Sequence, residues 1–204
     1  MKIIYTPPYD SPIEDKFAYH YIKYASDDVD MVAQFEALTL CGRFIIDFVL
    51  LASNGKRIGI ECDGREFHDE SRDEWRDAMI IGEGHVDVIY RLRGCDITYC
   101  IEDILYLMAI LEPCLFSTRA IENLKVLASA EIQEISKDHC NDFYYFKHNN
   151  EVDAGFFKVE VRRRIVPNGQ RRFWQSAYRF AKLLGGGNLD EIIEKYRADL
   201  TFSK

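Results

Sequence analysis

Two apolar runs separated by four residues constrain this chain more than any other feature. Arg43-Phe44-Ile45-Ile46-Asp47-Phe48-Val49-Leu50-Leu51-Ala52 and Arg57-Ile58-Gly59-Ile60-Glu61-Cys62-Asp63 are rich in β-branched and aromatic residues, with Ser53-Asn54-Gly55-Lys56 between them. That pattern is a hairpin signature. Side chains alternate faces along a strand, so a one-residue slip of register exchanges the two faces. A two-residue Asn54-Gly55 turn would pair Ala52 with Arg57 and set Asp47 opposite Cys62. A three-residue loop, with Ser53 and Asn54 helical and Gly55 left-handed as a bulge, pairs Ala52 with Lys56 and Asp47 with Glu61. The second turn is the expected one.

In that register Asp47, Glu61 and Asp63 share one face of the hairpin. Two carboxylates about 4 Å apart repel by about 4 kcal/mol at an effective dielectric near 20. Such a cluster must take up a cation or a proton. Hard oxygen ligands with room for water suit Mg²⁺ or Mn²⁺ better than a softer metal. His68, just past the second strand, could take a proton from water held by the ion or stabilise charge beside it.

Further elements stand around this hairpin in a telling order. Ser11-Pro12-Ile13-Glu14 opens a helix, and Phe44-Ile45-Ile46-Asp47-Phe48 and Ile60-Glu61-Cys62-Asp63-Gly64 with Phe67-His68 follow. Then come Arg72-Asp73 and Arg76-Asp77 on a helix and Val86-Asp87-Val88-Ile89-Tyr90-Arg91-Leu92-Arg93 as a strand. Residues 11 to 111 in this order resemble the PD-(D/E)XK nuclease superfamily, most closely its very short patch repair endonuclease-like branch. The resemblance implies an α/β fold with a restriction-endonuclease-like core, a central mixed β-sheet flanked by helices. It implies that Asp47 and Glu61 are metal-binding acids, that Glu14 is an accessory acid at the metal, and that His68 is an active-site histidine. Asp63 stands at the catalytic position where the superfamily's usual motif has its lysine, and this branch resembles others that carry Asp-Gly there. An acid cannot polarise a scissile phosphate as a lysine does.

Several of these residues also have a purely structural reading. Glu14 lies three residues after Ser11, with Pro12 at the first helical position, which is a capping-box pattern in its own right. Asp47 is different, because a mid-strand acid between Ile46 and Phe48 gains nothing structural. Arg72, Asp73, Arg76 and Asp77 fall at three- and four-residue spacings, the pattern of ion pairs on a solvated helix face. Phosphate contacts from Arg72 and Arg76 are the functional alternative. Arg91 and Arg93 alternate along a strand, and either one facing the acids would supply the positive charge that Asp63 does not.

The net charge of −8 runs against a nucleic-acid partner until its distribution is considered. Residues 156–182 hold Lys158, Arg162, Arg163, Arg164, Arg171, Arg172, Arg179 and Lys182 against Glu160 alone, for +7, leaving −15 on the rest of the chain. This segment reads as a strand, a Pro167-Asn168-Gly169 turn and a helix from Gln170 onward. Phe173, Ala177, Phe180, Ala181 and Leu184 make the helix's buried stripe. Arg172, Gln175, Arg179 and Lys182 then form a rail suited to a phosphate backbone. The alternative is a surface salt-bridged to the acidic remainder.

The remaining sequence completes the expected organisation. A strand-like Ile3-Ile4-Tyr5 opens the chain, a short strand is expected near Val32 to Leu38, helices at 100–111 and 117–135, and a second hairpin from Phe143–His148 and Phe156–Ile165. Residues 1–112 are read as the nuclease-like core and 113–204 as a C-terminal α+β extension that packs on it or forms a homodimer. No stretch is long and apolar enough for a membrane span, and there is no secretory signal. Six cysteines without a CxxC pair suit a reducing, cytoplasmic setting. The expected activity is metal-dependent hydrolysis of nucleic-acid phosphodiesters, DNA in preference to RNA, in repair, restriction or mobile-element and phage biology. A catalytically degenerate nuclease fold that binds nucleic acid or protein is the alternative.

Overall fold

Ser11 has extended backbone, its hydroxyl accepts the Glu14 N–H, and Pro12 follows, so the first helix begins where the sequence signals it. In the computed structural model, which describes residues 3–64, 70–147, 155–165 and 172–202, this helix, α1, runs Pro12–Tyr24. Strands β1 (Asp30–Thr39), β2 (Gly42–Leu51) and β3 (Arg57–Asp63) are antiparallel neighbours. The turn between β2 and β3 is the three-residue one. Gly55 has φ +83°, its N–H donates to Ala52 O at 2.9 Å, and the Ala52 N–H donates to Lys56 O at 3.0 Å. Leu51 therefore faces Arg57 and Phe48 faces Ile60.

Helix α2 (Glu70–Glu83) then crosses over to β4 (Val88–Arg93), which lies parallel to β3. Helices α3 (Gly94–Tyr99), α4 (Ile101–Leu111), α5 (Thr118–Leu127) and α6 (Ala130–Ile135) follow. The chain continues through strands β5 (Phe143–Lys147) and β6 (Phe156–Arg163) to helices α7 (Phe173–Leu183) and α8 (Leu189–Phe202). Among the described residues the strands form one six-stranded mixed sheet in the order β1-β2-β3-β4-β6-β5. Because β6 pairs antiparallel with β4, the stretch after residue 112 completes the same sheet.

Helices cover both faces of the sheet. On one, α1, α3, α4, α5 and α6 bury Phe17, Tyr21, Ile104, Leu105, Leu124 and Ile132 against Phe48, Leu50, Ile60, Tyr90, Leu92, Phe157 and Val159. On the other, α2 presses Ile80 and Ile81 onto Ala37, Ile46, Val49 and Ile89. A second apolar stripe of α2, Trp75, Ala78 and Met79, faces outward and is covered by α7 and α8 through Ala177, Ala181, Ile192 and Ile193. Each large aliphatic or aromatic side chain so buried contributes about 1.5–3 kcal/mol. No helix among the described residues is long and apolar enough to cross a membrane.

Three local expectations are corrected and one is met. Ile3, Ile4 and Tyr5 form no strand. The helix expected over 117–135 is two helices, because Ser129 leaves the first, caps the second through Ile132 N–H, and is held by Asp103 of α4 at 2.7 and 2.9 Å. The helix expected over 100–111 is present as α4, with the short helix α3 ahead of it. The helix expected from Gln170 begins at Phe173, with Arg172 as its cap residue.

Candidate functional site

Asp47 lies where β1 and β2 stop pairing. The β1–β2 ladder runs unbroken in register except at Gln34 and Asp47, which face one another outside it, and Gln34 takes φ +50°. That left-handed backbone costs a non-glycine residue about 1–2 kcal/mol. It also turns the ribbon over. Met31 and Ala33 pack with Phe48 and Leu50 on the α1 side, whereas Phe35 and Ala37 pack with Ile46 and Phe44 on the α2 side. Residues of the same parity thus face opposite ways across the break, and Asp47 sits at the crossing.

The ladder between β2 and β3 ends at the same level. Its last pair is Phe48 with Ile60, and the Cys62 N–H donates to Asp47 Oδ2 at 2.7 Å. The Asp47 carboxylate here does the work of a strand carbonyl, a structural role that sequence reasoning missed. Beyond Ile60, β3 pairs with β4 alone, setting Glu61 beside Arg91 and Asp63 beside Arg93.

Acids and guanidinium groups fill the space between this break and α2. Arg76 of α2 donates to Glu61 Oε1 at 2.7 Å and to the carbonyl of Ile45. Arg91 of β4, 5% exposed, reaches Asp63 at 2.9 Å and Asp73 at 3.4 Å and grips Asp77 with two bonds of 2.8 and 3.2 Å. Arg162 of β6 completes the pairing of the fully buried Asp77 at 2.5 Å. Arg91 therefore supplies the positive charge facing the acids, and Arg93 turns instead to Asp96 at 2.7 Å.

On α2 the expectation of a solvated ion-pair face is corrected for Arg76 and Asp77. Asp73, Arg76, Asp77 and Ile80 follow helical spacing, and this stripe faces the sheet. It is charged where the sheet offers Glu61, Asp63 and Arg91, and apolar where the sheet offers Ile46 and Ile89. Arg72 does lie at the surface, paired with Asp190 at 2.9 Å.

Glu14 approaches from the α1 side. It is 5% exposed, accepts the Ser11 hydroxyl at 2.7 Å on Oε1 and takes the Gln34 amide at 3.1 Å on Oε2. The strained Gln34 thus links Glu14 to the break opposite Asp47. Its signal in the sequence is faint, because a polar residue in a strand usually marks a solvent face.

Among the described residues, Glu14, Asp47, Glu61, Asp63, Asp73 and Asp77 lie around this break, and Arg76, Arg91 and Arg162 are the cations paired with them. Burial first, and the neighbouring acids second, show in the protonation equilibria. Burial pushes the Asp47 carboxyl up to about 6, with Glu14 and Asp63 adding to the rise and the Cys62 N–H and Arg76 opposing it. Burial likewise raises Glu61 to about 8; Arg76 pulls it down while Asp47 and Asp77 push it up. Asp77 goes the other way, because Arg91 and Arg162 outweigh its burial and hold it below the usual carboxylate range.

Asp47 and Glu61 offer hard oxygen donors, and among the described residues no hydrogen bond engages Asp47 Oδ1 or Glu61 Oε2. Among those residues no three His, Cys, Asp or Glu side chains converge into a ready-made metal cage. That donor set suits Mg²⁺, which is usually held by one or two carboxylates and keeps water or a substrate phosphate in its other positions. His68 lies outside the described residues.

The basic residues of 156–182 are divided between internal pairing and exposure. Lys158 and Arg162 pair with Glu160 at 2.7 and 3.0 Å, and Arg172 with Asp142 at 2.6 Å. Arg163 binds the Asn141 carbonyl at 2.6 Å. Arg164, Arg179 and Lys182 are exposed, and Arg171 lies outside the described residues. Comparison of the chain with protein-family models, curated proteins and solved structures found no match.

Proposed function

We propose that this protein is a metal-dependent nuclease of restriction-endonuclease type that hydrolyses nucleic-acid phosphodiesters, DNA in preference to RNA. The observation that carries the reading is the excess of buried carboxylates around a deliberate break in the sheet, with Asp47 and Glu61 both driven to abnormally high pKa. Such perturbation is expected where a group is kept for chemistry. The order helix, three antiparallel strands, helix, parallel strand supports the same reading.

Asp47 and Glu61 would hold Mg²⁺ or Mn²⁺, and Glu14 would steady Asp47 through Gln34. When bound, the ion supplies positive charge to the phosphate and makes water a stronger nucleophile. Arg76 and Arg91, held by the acids, would contribute fixed positive charge beside the ion in place of the lysine that Asp63 replaces. His68 is the residue assigned to proton transfer.

The test is nicking of supercoiled plasmid with Mg²⁺ or Mn²⁺ by the wild type, Asp47→Ala and Glu61→Ala. Wild-type activity lost in both variants supports the assignment; equal activity in all three sinks it. A second reading, a binding module on a degenerate nuclease fold, is favoured by the pairing of Asp63 with Arg91 and of Glu61 with Arg76. It predicts nucleic-acid binding with no metal-dependent cleavage by any of the three proteins.

A further inference from the structure

Among the described residues the β5–β6 hairpin is covered on one side only. Tyr144, Phe146, Phe157, Val159 and Val161 face the α1 side and join the main core. Their neighbours face the α2 side, where α2 lies over the other end of the sheet. Phe143, Tyr145 and Phe156 are there 54%, 66% and 53% exposed. Three large rings on one strand pair make an exposed apolar patch of the kind that marks an interaction site.

The register interleaves these rings with charge. Phe143 stands opposite Glu160, Tyr145 opposite Lys158, and Lys147 opposite Phe156. Lys158 Nζ lies 5.6 Å from the centre of the Phe143 ring. A surface meant for an apolar protein partner would gain nothing from lysines between its rings. Aromatic faces alternating with ammonium groups are complementary to a chain that alternates π-faces with phosphates.

The surface is also continuous with the candidate site. Glu160 stands opposite Arg91, the residue that holds Asp63, so one strand separates the hairpin from the acids on the same side of the sheet. Past Phe143 the surface opens into a small cleft of about 80 Å³ whose wall includes Phe173 and Trp174.

We infer that the exposed face of β5–β6 is a stacking platform for single-stranded nucleic acid. Phe143, Tyr145 and Phe156 stack on bases and Lys147 meets a phosphate, while Lys158, held by Glu160 at 2.7 Å, borders the rings. The inference rests on the nuclease reading for what is then done to the strand, and makes the preferred substrate one with an unpaired segment.

The experiment is fluorescence anisotropy with the full-length chain in a metal chelator, so that binding is read without cleavage. The probes are labelled oligothymidylate and oligouridylate, longer than the ~4–16 nucleotides such surfaces cover, and a duplex of equal length. Tyr145→Ala and Phe156→Ala are each expected to weaken single-strand binding by roughly 5- to 150-fold. Lys147→Gln is expected to lower the salt slope of log affinity by about 0.7. Binding to either the deoxy or the ribo strand supports the platform and identifies the sugar.

Equal binding by wild type and both aromatic variants overturns the proposal, as does a duplex bound as tightly as the single strand. A change of oligomeric state on removing the rings, with oligonucleotide binding intact, assigns the face to a second copy of the chain and overturns it too. Asp47→Ala keeps the platform and separates the two ideas. Binding without metal-dependent cleavage by the wild type leaves the platform and removes the nuclease; cleavage unaffected by the ring variants does the reverse.

Discussion

Asp47→Asn removes one charge and keeps an oxygen to accept the Cys62 N–H. Burial raises the Asp47 carboxyl from 3.8 to about 6, so folding favours its protonated form. Below about pH 3.8 the residue is protonated folded and unfolded alike and costs nothing. As the pH rises from there through 6, the folded state loses stability, and above 6 the loss is complete. The difference corresponds to about 3 kcal/mol; partial access to solvent reduces it to about 1–3 kcal/mol. In a chelator the Asn variant should match the wild type near its acid limit and exceed it at about pH 8, where the melting temperature rises by about 2–12 °C. Urea unfolding followed by circular dichroism across this range measures the gain. With excess Mg²⁺ the order should reverse, because an ion bound only by the native wild type adds about 2.7 kcal/mol at a hundred times its Kd. An Asn variant less stable at pH 8, or a difference that does not change with pH, would refute the claim that this carboxylate is kept against the interest of the fold.

Asp77→Ala strips the shared partner from the guanidinium groups of Arg91 and Arg162 and should cost about 3–5 kcal/mol in denaturant unfolding. Arg76→Ala takes away the charge that pulls Glu61 down, so the Glu61 carboxyl, at about 8 in the wild type, should titrate higher still in a carbon-detected NMR titration. Gly82→Ala would drive a methyl group to 2.3 Å from the Tyr178 ring, where α2 and α7 touch. A loss of about 1–3 kcal/mol is expected, read as faster hydrogen exchange in α7. Arg72→Ala breaks an exposed pair with Asp190 and should change stability by less than about 1 kcal/mol.

Local chemistry made much of this fold legible. Ser53-Asn54-Gly55 specified its turn because only a left-handed Gly55 closes a three-residue loop, and the turn fixed the register of β2 on β3. Ser11-Pro12 likewise specified the start of α1. The acids of the site were legible as types in unusual places. What escaped was set by contacts distant in sequence. An alternation of faces is a safe reading only while the strand is continuous, and nothing in Ala33-Gln34-Phe35 announces the left-handed residue that turns the ribbon over. Charges at helical spacing on α2 read as solvated because no local signal reveals that Glu61, Asp63 and Arg91 will stand opposite them. The sheet partnership of β6 with β4 joins positions some seventy residues apart.

The same buried charges bear on how the site is held. Replacing a buried ion network by packed apolar residues is often neutral or stabilising, since desolvation offsets attraction. Helix α2 already packs apolar side chains on this sheet one turn further on, through Ile80 and Ile81, so the fold does not require charge on that stripe. Its charged half coincides with the sheet break. Arg76 bridges Glu61 and the freed Ile45 carbonyl, and Asp77 ties β4 to β6 through Arg91 and Arg162. These bonds fix guanidinium groups at set positions beside the acids and join that position to the strand bearing Phe156 and Lys158. A network that apolar packing could replace, and that fixes geometry, is consistent with an electrostatic site, and it makes Asp77 the residue whose loss should disturb the acids and the hairpin face together.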